Sequence, residues 1–304
     1  MNNSSKLLKP VLAFSLLSAA FMPYAIPSNT TYADSLSVEA STPITNGVNN
    51  AWTDGTVNNE QLKEEADLST WNIRYDDEAK TVLKAIKSNN ISALKAQAQQ
   101  EAEAKFLEEV QQFQSATNAN DQLNFAAAAE KTKAQYRSDF NLVALSLGSF
   151  SCPFAGQALK NSLQDSPSAL DYAAGSSRSN AWSLTSAYTT VSIPIAKAID
   201  NANAAGKTFV SGDSSVATSA GNAGLDFYLA LGKVTVSWAA EKVSGSWKVY
   251  IHTYDKYDFQ DKTVPSSFPN NIITIANNEG AKAQAAGAIV PYFIHIYTQQ
   301  NYKP

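Results

Sequence analysis

Cysteine and histidine are scarce in this chain, which has one cysteine and two histidines among its 304 residues. The single thiol, Cys152, excludes an internal disulfide. It has no catalytic partner in the segment SFSCPFAG, so we interpret it as a small buried apolar residue. The chain also lacks an HExxH motif, paired cysteines, a phosphate-binding glycine loop and a GxSxG motif. These absences exclude HExxH metalloproteases, P-loop nucleotide enzymes and α/β-hydrolases.

The chain also lacks an excess of positive charge: it has 23 Lys and Arg against 27 Asp and Glu, and its formal net charge is −4. An acidic balance argues against a general nucleic-acid-binding protein, which is usually basic. It also argues against electrostatic attachment to an anionic membrane. Beyond the first 33 residues, no stretch reaches the ~20 apolar residues that a membrane-spanning helix needs. We therefore predict no nucleic-acid partner and no stable membrane span.

The first 33 residues have the pattern of a secretory signal peptide. Lys6 and Lys9 precede the apolar run PVLAFSLLSAAFMPYAIP, and the small residues Thr31 and Ala33 follow it. A charged start, an apolar middle and a small-residue end define such a peptide, which is removed from the mature protein. Prolines interrupt the run, which is also short for a membrane anchor. The sequence predicts a secreted, extracellular protein whose mature chain begins at Asp34.

Residues 34–70 are polar and predict a flexible leader, and helical periodicity begins after them. Over residues 71–147, apolar side chains recur every three or four positions, which is typical of helices with one apolar stripe. This region therefore predicts a helical hairpin or a small helical bundle. Its clearest stripe includes Leu94, Phe106, Val110 and Phe113.

Residues 148–304 predict a separate domain with both helices and strands. From residue 207 the apolar period becomes two, as in strands with one buried face. The segments KTFVSG and DFYLALGKVTVSWAAEKV predict strands, SGS predicts a three-residue turn, and WKVYIHTYDKYDF predicts the returning strand of a hairpin. AIVPYFIHIY predicts a last strand, with Pro291 at a sheet edge. The predicted fold class is α+β, with an N-terminal helical hairpin or bundle followed by a mainly antiparallel β-sheet domain.

The predicted hairpin ends in YIHTYDKYDFQDK, where Asp255, Tyr257 and Asp258 are the candidate site residues. If the chain turns after residue 254, the two carboxylates converge. Such a pair can bind a divalent cation, or share a proton with one carboxyl pKa raised, and either state activates water or protonates a leaving oxygen. The alternative is that a strand end needs polar residues and that Asp is common in turns.

The run Asp255-x-Tyr257-Asp258-Phe259, preceded by ALGKVTVSWAAEKVSGSWKVYIHTYD, resembles the catalytic segment of colicin M-type bacteriocins. The resemblance covers residues 150–262 and includes the upstream segment PFAGQALKNSLQDSPSALDY. It implies an antimicrobial hydrolase that cleaves the lipid-linked peptidoglycan precursor at its pyrophosphate linkage, with a divalent cation such as Mg2+. In that resemblance, Asp255 and Asp258 hold the metal or position water, and Tyr257 donates a hydrogen bond to a phosphate oxygen.

The bacteriocin family carries His and Arg six and seven residues after the second Asp, where this chain has Val264 and Pro265. The only histidines of the chain, His252 and His295, are the candidates to replace that basic pair in space. Both lie in alternating apolar strands, so a hydrogen-bonded structural role is the alternative for each of them.

Aromatic residues are concentrated between positions 247 and 302. They predict either a sheet core with scattered surface tyrosines or a surface that contacts lipid or sugar. Two functions follow from the sequence. One is a secreted toxin or bacteriocin-like hydrolase that acts on the lipid-linked cell-wall precursor. The other is a non-enzymatic secreted protein, either a pore-forming or pesticidal toxin or a partner-binding module at a target-cell surface.

Overall fold

The computed structural model describes four ranges of the chain, and the predicted signal peptide and most of the predicted leader lie outside them. The described residues divide into two compact units. The helical unit comprises Glu103–Ser168 and Tyr257–Tyr292, and the sheet unit comprises the described residues before Glu103 together with Ala169–Lys256 and Phe293–Pro304. The described ranges are 59–88, 93–116, 131–260 and 270–304.

Helices and strands are interspersed along the described chain. The strands are β1 Arg74–Tyr75, β2 Leu170–Tyr172, β3 Phe209–Ala217, β4 Lys233–Val243, β5 Ser246–Tyr257 and β6 Tyr292–Tyr302. The helices are α1 Asn59–Glu65, α2 Asp76–Ser88, α3 Ala93–Ala116, α4 Lys133–Ser149, α5 Pro153–Ser162, α6 Ser177–Ser183, α7 Ser186–Ala204, α8 Ala220–Ala230 and α9 Asn270–Ala285. The class is therefore mixed helix and strand.

The strands form one six-stranded sheet in the order β1-β3-β4-β5-β6-β2. The β1–β3, β3–β4 and β4–β5 pairs are antiparallel, and β2 runs parallel to β6. The predicted, mainly antiparallel sheet is confirmed, and so is the β4–β5 hairpin. Val234, Val236 and Trp238 are fully buried, as their alternation predicts.

Three local predictions for this sheet are wrong. The residues DFYLA, predicted as strand, end helix α8, where they follow a break at Gly224 (φ 75°, ψ 160°), and Leu231 is the C-cap of that helix. The hairpin turn contains two residues, Ser244 and Gly245, both with positive φ as in the tight turns that match strand twist. Pro291 directly precedes β6, which lies between β5 and β2 and is not an edge strand. At that position its missing N–H costs no ladder hydrogen bond.

Helix α2 covers one face of the sheet, which we call the front face. Leu83 and Ile86 of α2 form a buried cluster with Ala239, Tyr250 and Tyr297. Apolar residues of α2 recur three positions apart, so they share one side of the helix and bury it against the strands.

Helices α6 and α7 lie against the opposite face, which we call the back face. Trp182 Nε1 donates a hydrogen bond to Thr253 Oγ1 at 3.3 Å, and the hydroxyls of Tyr188 and Thr298 are 3.0 Å apart. Successive side chains of a strand point to opposite faces. Odd-numbered residues of β5 around Thr253 therefore face back, and their even-numbered neighbours face front.

The helical unit packs through the predicted stripe of α3. Phe106 and Val110 are buried and cluster with Leu145 of α4, and Phe113 packs against them, as the spacing predicts. The side chain of Leu94 lies outside the described part of the chain. Helix α4 begins with a capping box at Thr132. No helix in the described ranges is both long and apolar enough to cross a membrane.

Candidate functional site

Strands β5 and β6 place a group of rings on the front face of the sheet. Strand alternation puts Tyr254 beside His252 on β5, and Phe293, His295 and Tyr297 on β6. We call these five residues the aromatic–histidine patch. It lies on the same face as helix α2, because Tyr297 also belongs to the cluster that α2 covers.

The rings of the patch stack both along each strand and between the two strands. The His252 ring lies 4.4 Å from the Tyr297 ring at an interplanar angle of 6°, and 4.8 Å from the Tyr254 ring at 29°. Phe293 stacks on His295 at 5.8 Å and 20°. The His252–Tyr297 contact crosses the two strands, and a cross-strand pair of this kind stabilises a sheet by roughly 0.2–1 kcal/mol. The stacking therefore holds each ring in a defined orientation.

The two histidines are in direct contact within this patch. His252 Nε2 lies 2.9 Å from His295 Nδ1, so one nitrogen donates a hydrogen bond and the other accepts it. Burial, and then the neighbouring His295, lowers the pKa of His252 to about 3. His252 is therefore neutral across the ordinary pH range.

Part of the patch is open to solvent. Phe293 is 45% exposed, and Tyr254 and His295 are half-buried. Among the described hydrogen bonds, none involves the hydroxyl of Tyr254 or Tyr297. Burial, and then the charge of Asp171, raises the pKa of Tyr297 to about 12, so its phenol stays protonated; Tyr297 is only 3% exposed and belongs to the covered part of the patch. The patch thus combines an exposed ring with polar atoms that can meet a ligand.

Asp171 adds a carboxylate beside the patch. It lies on β2, which runs parallel to β6, and its Cα pairs in register with that of His295. Side chains that pair in register point to the same face of a sheet. The front face at this end therefore carries an acid next to the rings.

The predicted site residue Asp255 is held at the end of β5. The backbone N–H of Gly232 donates to Asp255 Oδ2 at 2.7 Å, and this bond joins the end of β5 to the start of β4. Asp255 is half-buried and leaves the strand towards the opposite face from His252. The two histidines therefore do not replace the family's basic pair beside this acid.

Tyr257 and Asp258 are described with the helical unit. Tyr257 is 7% exposed, and its ring contacts Phe259 at 5.4 Å and Tyr292 at 5.5 Å. Burial raises the pKa of Tyr257 above its usual range. Asp258 follows the last residue of β5 and is half-buried. Val264 and Pro265 lie outside the described residues.

Metal binding at these acids stays a prediction. In the part of the chain that the structure describes, no group of three or more His, Cys, Asp and Glu side chains is arranged to hold a metal ion. Mg2+ needs only one or two protein carboxylates together with water.

The chain matches no protein-family model, no curated protein and no solved structure. The resemblance to colicin M-type bacteriocins therefore rests on the residues that carry it. The aromatic–histidine patch was not predicted as a unit from the sequence. Alternation indicates that His252 and Tyr254 share a face, and that His295 and Tyr297 do, but α9 separates the two strands and hides their pairing.

Proposed function

We propose that the protein is a secreted, toxin-class protein that recognises a glycan on a target-cell surface through the aromatic–histidine patch. The observation that carries this proposal is the half-exposed set of rings at Tyr254, Phe293 and His295, beside the carboxylate of Asp171. This proposal corresponds to the second function considered from the sequence, a secreted partner-binding module at a target-cell surface.

The chemistry of the patch suits a sugar. A sugar ring has an apolar C–H face and a rim of hydroxyls, so it needs an apolar ring surface and hydrogen-bonding groups together. Phe293 offers an exposed ring, and the phenol of the half-buried Tyr254 can donate or accept a hydrogen bond. Ligand sites commonly combine aromatic lining with a few placed polar groups in this way.

Lipid is a poorer match to the same surface. A face that enters a membrane interface presents continuous apolar side chains and basic residues on its flanks. Here polar ring atoms and the acid Asp171 interrupt the apolar area. The mixed surface therefore favours a hydroxyl-rich partner.

Binding is also favoured over hydrolysis by the positions of the predicted catalytic residues. Asp255 is bonded to the Gly232 amide, which is the behaviour expected of a polar strand end. Tyr257, the predicted donor to a phosphate oxygen, is buried among aromatic rings. A residue that meets a large lipid-linked substrate needs to be accessible.

A glycan array tests the proposal. The mature protein should bind a subset of oligosaccharides, and Phe293→Ala and Tyr254→Ala should each weaken binding about tenfold, which corresponds to about 1.4 kcal/mol. The matched control is Leu184→Ala, which removes an apolar side chain that is 68% exposed. Absence of binding to any glycan, or equal affinity of the two patch variants and the control, would refute the proposal.

A colicin M-type hydrolase is the second candidate, because the run Asp255-x-Tyr257-Asp258-Phe259 resembles the catalytic segment of that family. The substrate is the lipid-linked peptidoglycan precursor, and release of its pyrophosphate product is measured with and without Mg2+. If this candidate is correct, Asp258→Asn and Asp255→Asn abolish turnover without unfolding, and Tyr257→Phe has a smaller effect. Absence of turnover by the unmutated protein would exclude the hydrolase.

The predicted N-terminal helical region, 71–147, has a packing role in this proposal. Its helix α2 buries Leu83 and Ile86 against the sheet. In the helical unit, Phe106 of α3 lies against α4. The helices would then stabilise the chain while the patch makes the contact with the glycan.

A further inference from the structure

The two histidines of the chain are 43 residues apart in sequence and meet on one face of the sheet. We propose that His252 Nε2 and His295 Nδ1 form a site for one transition-metal ion of the Zn2+ or Cu2+ type. These are the only two imidazoles among the 304 residues. The inference does not depend on glycan binding.

The separation of the two nitrogens suits a bridging metal. They are 2.9 Å apart. Two ligands of a tetrahedral Zn2+, each about 2.0–2.1 Å from the metal, lie roughly 3.4 Å from one another. An opening of roughly 0.5 Å would therefore replace the hydrogen bond with two metal–nitrogen bonds. Each ring must also turn, because a lone pair that lies along the N–N line in the hydrogen bond has to point at a metal beside that line.

The surroundings of His252 favour metal coordination by its ring. His252 is only 9% exposed, and burial favours the neutral imidazole, which is the form that binds metals. Its ring is stacked between Tyr254 and Tyr297, which fixes the direction of its nitrogens. Packing that orients a first ligand is a usual support for a metal site.

The remaining coordination positions stay open. The described residues provide no third His, Cys, Asp or Glu already arranged with this pair. Asp171 stands in register with His295 on β2 and can supply an oxygen after a side-chain rotation, and water can supply the rest. Three or fewer protein ligands with open positions is the pattern of exchangeable metal sites.

The ligand type sets the metal preference. Imidazole nitrogen suits Zn2+, Cu2+ and Ni2+, whereas Mg2+ requires oxygen ligands in an octahedral arrangement. Mg2+ should therefore not compete for the histidine pair. This also separates the site from the Mg2+ expected at Asp255 and Asp258.

Calorimetric titration of the untagged mature protein with ZnCl2, after removal of metals with a chelator, tests the inference. One Zn2+ should bind per chain in the presence of excess Mg2+. His295→Gln, at a half-buried position, should weaken Zn2+ affinity by at least 10–100-fold, the usual cost of removing even a supporting group. Glu78→Gln, which removes the charge of an exposed acid on α2, is the control and should leave Zn2+ affinity unchanged.

A second measurement locates the metal without any variant. The imidazole NMR signals come from two residues only, and Zn2+ should shift both sets together until one equivalent is bound. Zn2+ binding that His295→Gln does not weaken, or that leaves both imidazole signals unmoved, would overturn the inference. So would the absence of binding by the unmutated protein.

Discussion

Gly156→Ala should destabilise the helical unit, although the substitution raises helix propensity. Gly156 lies in α5 where this helix meets α4, and a Cβ at this position would lie 2.5 Å from the carbonyl oxygen of Ala144 and 2.8 Å from Cζ of Phe106. The first contact is with backbone, which cannot rotate away. The two helices would have to separate, and the buried cluster at Phe106 would have to repack.

The magnitude follows from two opposing effects. Overpacking of a well-packed site costs about 1–3 kcal/mol, and a backbone clash falls in the upper part of that range. Replacing Gly with Ala inside a helix gains about 1 kcal/mol of propensity. The free energy of unfolding should therefore fall by about 1–2 kcal/mol.

The matched control is Gly221→Ala in α8. A Cβ at Gly221 meets nothing closer than Ser219 Oγ at 3.8 Å, so this substitution should be neutral or stabilising by up to about 1 kcal/mol. Urea denaturation followed by circular dichroism measures both variants, with the midpoints compared at equal slope. If the Gly156→Ala protein has the same urea midpoint as the Gly221→Ala protein, the close approach of α4 and α5 at Gly156 is refuted.

Three further predictions concern export, packing and pH. N-terminal sequencing of the protein from culture medium should start at Asp34, and an exported product that retains residues 1–33 would contradict the signal peptide. Phe106→Ala should lower the free energy of unfolding by about 3–5 kcal/mol, since Phe106 is 5% exposed; an unchanged urea midpoint would show that the α3 stripe is not buried. In metal-free buffer, stability should fall as pH drops from 6.5 towards about 3, because unfolded His252 binds a proton that folded His252 does not. His252→Gln should flatten that dependence in urea titrations at several pH values, and an equal slope in both proteins would show that His252 is not responsible.

Local patterns predicted much of the sheet and one stripe of helix. The alternation of Val234, Val236 and Trp238 predicted a buried strand face. The spacing of Phe106 and Val110 predicted a helix that packs through one apolar stripe. Such patterns depend on nearest neighbours along the chain, so they can be read without knowing the fold. The segment DFYLAL was misassigned because an apolar run of that length suits either a strand or a buried helix, and periodicity alone does not distinguish the two.

The candidate site was harder to predict because it depends on strand order. His252 and His295 meet only because β6 pairs with β5, and Asp171 joins them only because β2 adds to β6 in parallel. Neither pairing follows from periodicity, since α9 lies between β5 and β6 in sequence and more than a hundred residues separate β2 from β6. The sequence drew attention instead to Asp255 and Asp258, whose spacing is visible along the chain.

NMR titration of the mature protein with the oligosaccharide that binds most tightly on the array tests the central claim most directly. The measurement follows the imidazole signals of His252 and His295 in metal-free buffer. Both belong to the patch, so the account predicts that at least the half-buried His295 shifts along the binding curve, that Phe293→Ala removes the shift, and that Leu184→Ala keeps it. Saturation with the glycan while both imidazole signals stay unchanged would contradict the account.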